Sequence, residues 1–139
     1  MSRLASSYRN NPVPIRTLAQ EERIPIRYLE QIMTRLRREG LLQSARGPGG
    51  GYKLNRPPDQ ISLGEIIEIL EGNVSVASCT EDDPKSQCPL VKTCVPRIFW
   101  SKLSTTIQSI LNSISLQEFN ENNWNDTDLG SLLKRRGLE

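Results

Sequence analysis

IRYLEQIMTRLRREG, running from Ile26 to Gly40, followed directly by LLQSARGPGGGYKL, from Leu41 to Leu54, is the stretch that decides the fold. In its first part Leu29, Ile32, Met33 and Leu36 recur at the spacing of one helical face. Arg27, Glu30, Gln31, Thr34, Arg35, Arg37 and Arg38 take the opposite face. The pattern predicts an amphipathic helix from about Ile26 to Glu39, closed by Gly40 as a C′ glycine. Leu41 to Arg46 and Gly51 to Leu54 then read as two short strands. The glycines of Gly47-Pro48-Gly49-Gly50 supply a turn between them, which makes a β-hairpin.

Upstream, Met1 to Arg9 reads as a short helical piece with Leu4 and Tyr8 on one face, broken by Asn10-Asn11-Pro12. Pro14 suits a helix start, and Ile15, Leu18 and Ala19 form the stripe of a second short helix. A turn is expected at Arg23-Ile24-Pro25. Two helices joined by a tight turn, the second rich in arginine, match a helix-turn-helix. A hairpin directly after the recognition helix is a wing, with Arg46 at its base placed to probe a minor groove. The expected fold class is therefore mainly α with a small β-hairpin wing: a winged helix-turn-helix plus a long dimerisation helix.

Pro57-Pro58 closes the DNA-binding domain, residues 1–58. A connecting helix occupies 59–73, where Ser62 and Glu65 form a capping-box pattern and Gly72 ends the run of Leu63, Ile66, Ile67 and Leu70. Residues 74–94 form a cysteine loop, and 95–119 a dimerisation helix, its apolar spacing running from Val95 to about Ile114. Ile98, Phe99, Leu103, Ile107, Ile110, Leu111 and Ile114 give that helix more apolar surface than a small chain readily covers, so a second copy is expected along it. A homodimer of this kind reads a palindromic double-stranded DNA operator. Residues 120–139 are a polar tail, with Leu129 to Arg136 as a frayed helix.

Charge supports this division. Residues 1–60 carry eleven Lys+Arg against five Asp+Glu, whereas 61–139 carry seven against eleven. A basic half joined to an acidic one suggests a polyanion-binding module with a separate sensing or assembly module. No apolar run has the length of a membrane span and no signal pattern opens the chain, so a soluble, cytoplasmic protein is expected. In that reducing compartment the three cysteines, Cys79, Cys88 and Cys94, read as metal-binding or redox-active before they read as a disulfide. No histidine accompanies them. Three thiols are one short of the four ligands that zinc or an iron–sulfur cluster usually takes.

Tyr28-Leu29-Glu30-Gln31, Leu36-Arg37, Gly40-Leu41 and above all Arg46-Gly47-Pro48-Gly49-Gly50-Gly51-Tyr52 resemble the IscR/NsrR family of bacterial winged-helix regulators, which includes RirA- and CymR-type members. Ser62-Leu63-Gly64-Glu65-Ile66-Ile67, the cysteine loop and Trp100-Ser101-Lys102-Leu103 are similar too, so the likeness extends from Met1 to Phe119. The resemblance implies a homodimeric transcription factor whose Cys79, Cys88 and Cys94 hold an iron–sulfur cluster, 2Fe-2S or 4Fe-4S. Iron, redox state or nitric oxide would then tune operator binding. Some relatives regulate cysteine metabolism and carry no cluster.

On matching positions, Glu30 would contact bases, since a carboxylate accepts from cytosine N4. Arg27, Tyr28 and Gln31 would sit beside it, Arg46 with Gly47, Gly49 and Tyr52 would form the wing contact, and Arg35 would meet phosphate or solvent. This chain departs from the family in two ways. Relatives usually carry further residues ahead of the point where Met1 stands, in mid-helix. One branch has a histidine ligand where this chain has Arg97, and eight residues separate Cys79 from Cys88, a longer spacing than in that branch. The fourth ligand is therefore not identified in the chain; Glu81, Asp82 and Asp83 could supply an oxygen, as could a partner-subunit carboxylate or an exogenous ligand.

Two other classes predict different behaviour. A winged helix serving as a protein-interaction module would bind DNA weakly and without steep salt dependence. A thiol enzyme would want a base beside its nucleophile, and Lys85 and Lys92 substitute poorly for histidine.

Overall fold

Proline sets where the helices of the first module begin. Pro14 and Pro25 stand at the N-caps of α2 (Ile15–Glu21) and α3 (Ile26–Arg38), where a missing N–H costs nothing. A short α1 (Ser2–Ser6) precedes them. This computed structural model describes residues 1–80, 88–89, 93–122, 124, 130, 134 and 137. Strands β1 (Leu42–Ala45) and β2 (Gly51–Leu54) form the expected antiparallel hairpin, pairing Leu42 with Leu54 and Ala45 with Gly51. α4 (Leu63–Glu71), α5 (Val95–Ser113) and α6 (Leu116–Glu121) complete the order. The fold is thus mainly helical with one two-stranded wing.

α3 buries the stripe read from its sequence. Leu29, Met33 and Leu36 are buried, Ile32 is half-buried and the polar residues are exposed. These side chains share one core with Leu4, Leu18, Leu41, Leu42, Leu54, Ile61 and Ile66. The turn between α2 and α3 is tight because Arg23 takes a positive φ of 54°, the sole non-glycine residue to do so among those described. Arg3 ties α1 to α2 through Glu21 at 2.7 Å.

Two features depart from the sequence expectation. Val13 pairs with β2 through Val13 N to Tyr52 O and Tyr52 N to Val13 O, each 2.9 Å, so the hairpin is braced on a third segment. The 95–119 segment is also not one helix. α5 ends at Ser113, and Ser115 opens α6, which returns to α1; there Leu116 joins the core and Asn120 Nδ2 donates to Ser2 O at 3.0 Å. The return has a sequence signal that went unread. Ile61-Ser62-Leu63-Gly64-Glu65 and Ile114-Ser115-Leu116-Gln117-Glu118 repeat one pattern, and the two copies form a bridge.

α5 divides along its length. Leu103, Ile107, Ile110 and Leu111 are half-buried on the side of the chain that includes α4, while Ile98 and Phe99 are 58% and 60% exposed. Gly64 in α4 makes the close crossing possible, since a Cβ built there would overlap the side-chain amide of Asn112 in α5. Alanine at 64 would gain about 1 kcal/mol of helix propensity. Overpacking against Asn112 would cost about 1–3 kcal/mol. Gly64→Ala should therefore lower the urea midpoint at unchanged slope, by a net loss of about 1 kcal/mol. A midpoint above that of the parent chain would refute the close packing.

Candidate functional site

Burying one face of α3 forces the other outward. Arg27, Glu30, Gln31, Thr34, Arg35 and Arg38 line a shallow open depression on that outer face, and Tyr28 is 55% exposed beside it. Glu30 makes no ion pair with a described residue; the pairs there are Arg3–Glu21 and Arg56–Glu65. A carboxylate exposed among arginines has the chemistry to accept from a donor.

The wing tip is a tight turn. Gly50 N donates to Gly47 O at 2.9 Å, with Pro48 next and Gly49 at φ 79°. Proline followed by a residue with positive φ is the signature of a type II turn, and no side chain but glycine takes the third position freely. Arg46, Gly47 and Gly49 are exposed. Arg37 Nη1 donates to Ser44 Oγ at 3.4 Å, which links the recognition helix to β1. Tyr52 stands apart from the other wing residues read from the sequence. Its side chain is half-buried against the core and its backbone is bonded to Val13.

Two of the three cysteines, Cys79 and Cys94, lie near the start of α5. Cys94 is the N-cap of α5, and Cys79 sits in a one-turn 3-10 helix, Ser78–Thr80. All three are free thiols; Cys79 and Cys94 are half-buried, and Cys88 is exposed. Hydroxyls organise the Cys79 turn: Ser75 Oγ and Thr80 Oγ1 lie 2.7 Å apart and both bond the Ala77 carbonyl. The turn is fastened to α5 twice. Val76 N donates to the buried Ser104 Oγ at 3.0 Å, and Arg97 Nε donates to Cys79 O at 2.9 Å. Arg97 thus braces the cysteine backbone.

The chemistry of this donor set suits a thiophilic metal or cluster, and two of the three thiols share one corner of the fold. The fit stops there, because no three ligating side chains gather into a metal-holding group among the described residues. Glu81, Asp82 and Asp83, like Lys85, Lys92 and most of the expected tail helix from Leu129, lie outside the described residues. Ser75, Thr80 and Ser104 were not singled out in the sequence, where hydroxyls near a cysteine carry no distinctive pattern.

A recognition helix with a polar outer face, a glycine-turned wing and a cysteine corner on a separate helix define a winged-helix, DNA-binding transcriptional regulator. The profile of the Rrf2 family, described as iron-dependent transcriptional regulators, matches residues 1–122. The chain belongs to the Rrf2 family. It is 39% identical over 107 residues to an HTH-type transcriptional regulator of Haemophilus influenzae, covering 77% of this chain and 69% of that one. To the IscR regulator of Aliivibrio salmonicida it is 38% identical over 107 residues, covering 77% of this chain and 62% of that one. Among solved structures, CymR, the global cysteine regulator of B. subtilis, aligns with a TM-score of 0.69 at 31% identity, covering 91% of this chain and 88% of that one. IscR of T. potens aligns at 0.69 and 30% identity, covering 94% and 85%. These relatives are regulators of transcription, not enzymes, and no helix among the described residues is long and apolar enough to cross a membrane.

Ser104→Ala leaves the Val76 N–H without its partner. A loss of about 1 kcal/mol would open the turn roughly five times more often. Cys79 should then react with a thiol reagent about fivefold faster while exposed Cys88 keeps its rate. Equal Cys79 rates in the two proteins would show that Ser104 does not hold the turn.

Proposed function

We propose that the chain is a homodimeric, cytoplasmic DNA-binding regulator whose Cys79, Cys88 and Cys94 hold an iron–sulfur cluster that tunes operator binding. The observation that carries the DNA half of this reading is the outward face of α3 beside an exposed wing. On it, Glu30 discriminates between bases, with Arg27, Tyr28 and Gln31 at its side and Arg46 entering the minor groove from the turn at Gly47 and Gly49. Tyr52 contributes by holding the wing to Val13.

The dimer rests on the first turns of α5. Val95, Ile98 and Phe99 are the most exposed apolar side chains there, with Trp100 packed edge-on to Phe99 at 5.0 Å. Each side chain of this size gains about 1.5–3 kcal/mol on full burial, so a second copy on the patch repays its ordering. Two linked recognition helices read a two-fold operator. In one experiment, Phe99→Glu should sediment as a single chain and lose binding to a duplex selected from random sequence. Glu30→Ala should stay dimeric and bind, but lose discrimination against a scrambled duplex. A dimeric Phe99→Glu chain would sink the dimer patch, and intact discrimination by Glu30→Ala would sink the readout.

The cluster is supported by the thiol set at the α5 corner and by the family's iron dependence. Bound there, it would supply a charge and lability that respond to iron, oxidants or nitric oxide. This chain's own residues supply the rest: Arg97 and Ser104 hold the Cys79 turn, and α5 carries the corner beside the proposed dimer patch. A second reading keeps the fold and replaces the cluster with zinc or a thiol switch. It is favoured by the likeness to CymR, which has been solved in an oxidized form from Staphylococcus aureus. Anaerobic purification separates the two. Visible absorption with iron and sulfide in the preparation is expected; a colourless, iron-free protein with full DNA binding would favour the second.

A further inference from the structure

Arg35 lies on the outward face of α3 among the arginines read as facing DNA, but its guanidinium turns aside. Nη1 donates to the Leu70 carbonyl at 2.9 Å. Leu70 belongs to the last turn of α4, where carbonyls lack an intrahelical donor and the helix dipole favours a cation. α4 has no basic residue of its own in that turn, so Arg35 supplies the charge from the neighbouring helix. Tyr28 and Ile32 of α3 border the same crevice, with Leu70 and Glu71 opposite. Beyond Gly72 the chain runs straight to the turn that holds Cys79. The recognition helix and the root of the cysteine segment are thus joined by a directional bond.

We propose that Arg35 is a positioning residue that fastens α3 to the end of α4, so that the DNA-reading face and the root of the cysteine segment move together, and that it is not a phosphate ligand. The inference rests on the reading of α3 as the DNA-facing helix. A guanidinium anchored through Nη1 on the Leu70 carbonyl would have to give up that bond to turn fully onto phosphate at the outer face. Its replacement should change coupling rather than counterion release.

Arg35→Met keeps the aliphatic stem and removes the donors; the side chain is exposed, so the core is untouched. With mixed-sequence duplex DNA as the probe, the slope of log affinity against log salt should be unchanged, whereas loss of a phosphate contact would lower it by about 1. In hydrogen exchange, DNA should slow the amides of Leu70 to Gly72 in the parent chain, and this protection should vanish in the variant. Without DNA, the same amides should exchange roughly fivefold faster in the variant. A slope shallower by about 1 overturns the proposal, as does DNA protection that persists in the variant. If the parent chain binds duplex without salt dependence, it is the DNA reading that fails. The DNA-free exchange then decides the fastening alone: faster supports it and unchanged overturns it.

Discussion

Two backbone hydrogen bonds hold the ends of this fold together. Leu63 N donates to Ile114 O at 2.9 Å, and Leu116 N donates to Ile61 O at 2.7 Å. The flanking Ile61, Ile114 and Leu116 are buried, where an unpaired backbone group would cost about 1–3 kcal/mol. Each serine of the bridge also caps a helix: Ser62 Oγ accepts from Glu65 N at 3.1 Å, and Ser115 Oγ from Glu118 N at 3.0 Å. α4 and α6 therefore start from one antiparallel bridge. Given that junction, α6 must lie on α1 and complete the core with Leu116. α5 must then approach from outside, pack its later turns on α4 and leave its first turns exposed. The placement of the cysteine corner follows from the same junction, because Cys94 caps the free end of α5.

The helix-turn-helix and wing were legible in the sequence because their signals are local. The spacing of Leu29, Met33 and Leu36 needs no partner to be read as a helix face, and Pro48 before Gly49 specifies a turn by itself. What escaped notice depends on residues far apart in the chain. Nothing near Ser104 announces that it accepts from Val76, and nothing near Val13 announces Tyr52. The Ile-Ser-Leu-x-Glu repeat was the exception, a long-range pairing written twice in the sequence. Read as an edge pair, it would have split the 95–119 segment at Ser115. The apolar spacing of α5 was read correctly as a helix but too simply as one surface. Periodicity gives the angle of a stripe around a helix and not which turns of it meet a neighbour.

Charge counting was a coarser guide than it looked. The basic excess of residues 1–60 suggests a broad polyanion surface, but several of its cations are occupied within the fold. Arg3 pairs with Glu21, Arg56 with Glu65, Arg37 reaches Ser44 and Arg35 reaches Leu70. Arg9, Arg16, Arg23, Arg27, Arg38 and Arg46 stay exposed without such partners among the described residues. A smaller free set places more weight on geometry than on total charge. Arg46 and Arg27 sit on separate elements, and their relative position is set by the Arg37–Ser44 link and by the Val13 brace behind the wing. Specific readout needs that fixed spacing, since base edges are recognised by placed donors and acceptors, while phosphate tolerates looser contacts.

The cysteine corner combines an ordered half with an open one. Cys79 sits on a turn that its own hydroxyls and two α5 side chains hold, whereas Cys88 is exposed and has no such frame among the described residues. On the proposed reading Cys79 would be a ligand that the fold holds in place in advance. Arg97 holds the Cys79 carbonyl from the first turns of α5, and its neighbours Ile98 and Phe99 form the exposed apolar patch. On the same reading, a change at the cysteine segment would be felt first at the turns that carry that patch, through the Arg97–Cys79 bond. In a dimer packed there, the relative setting of the two recognition helices follows from the same turns.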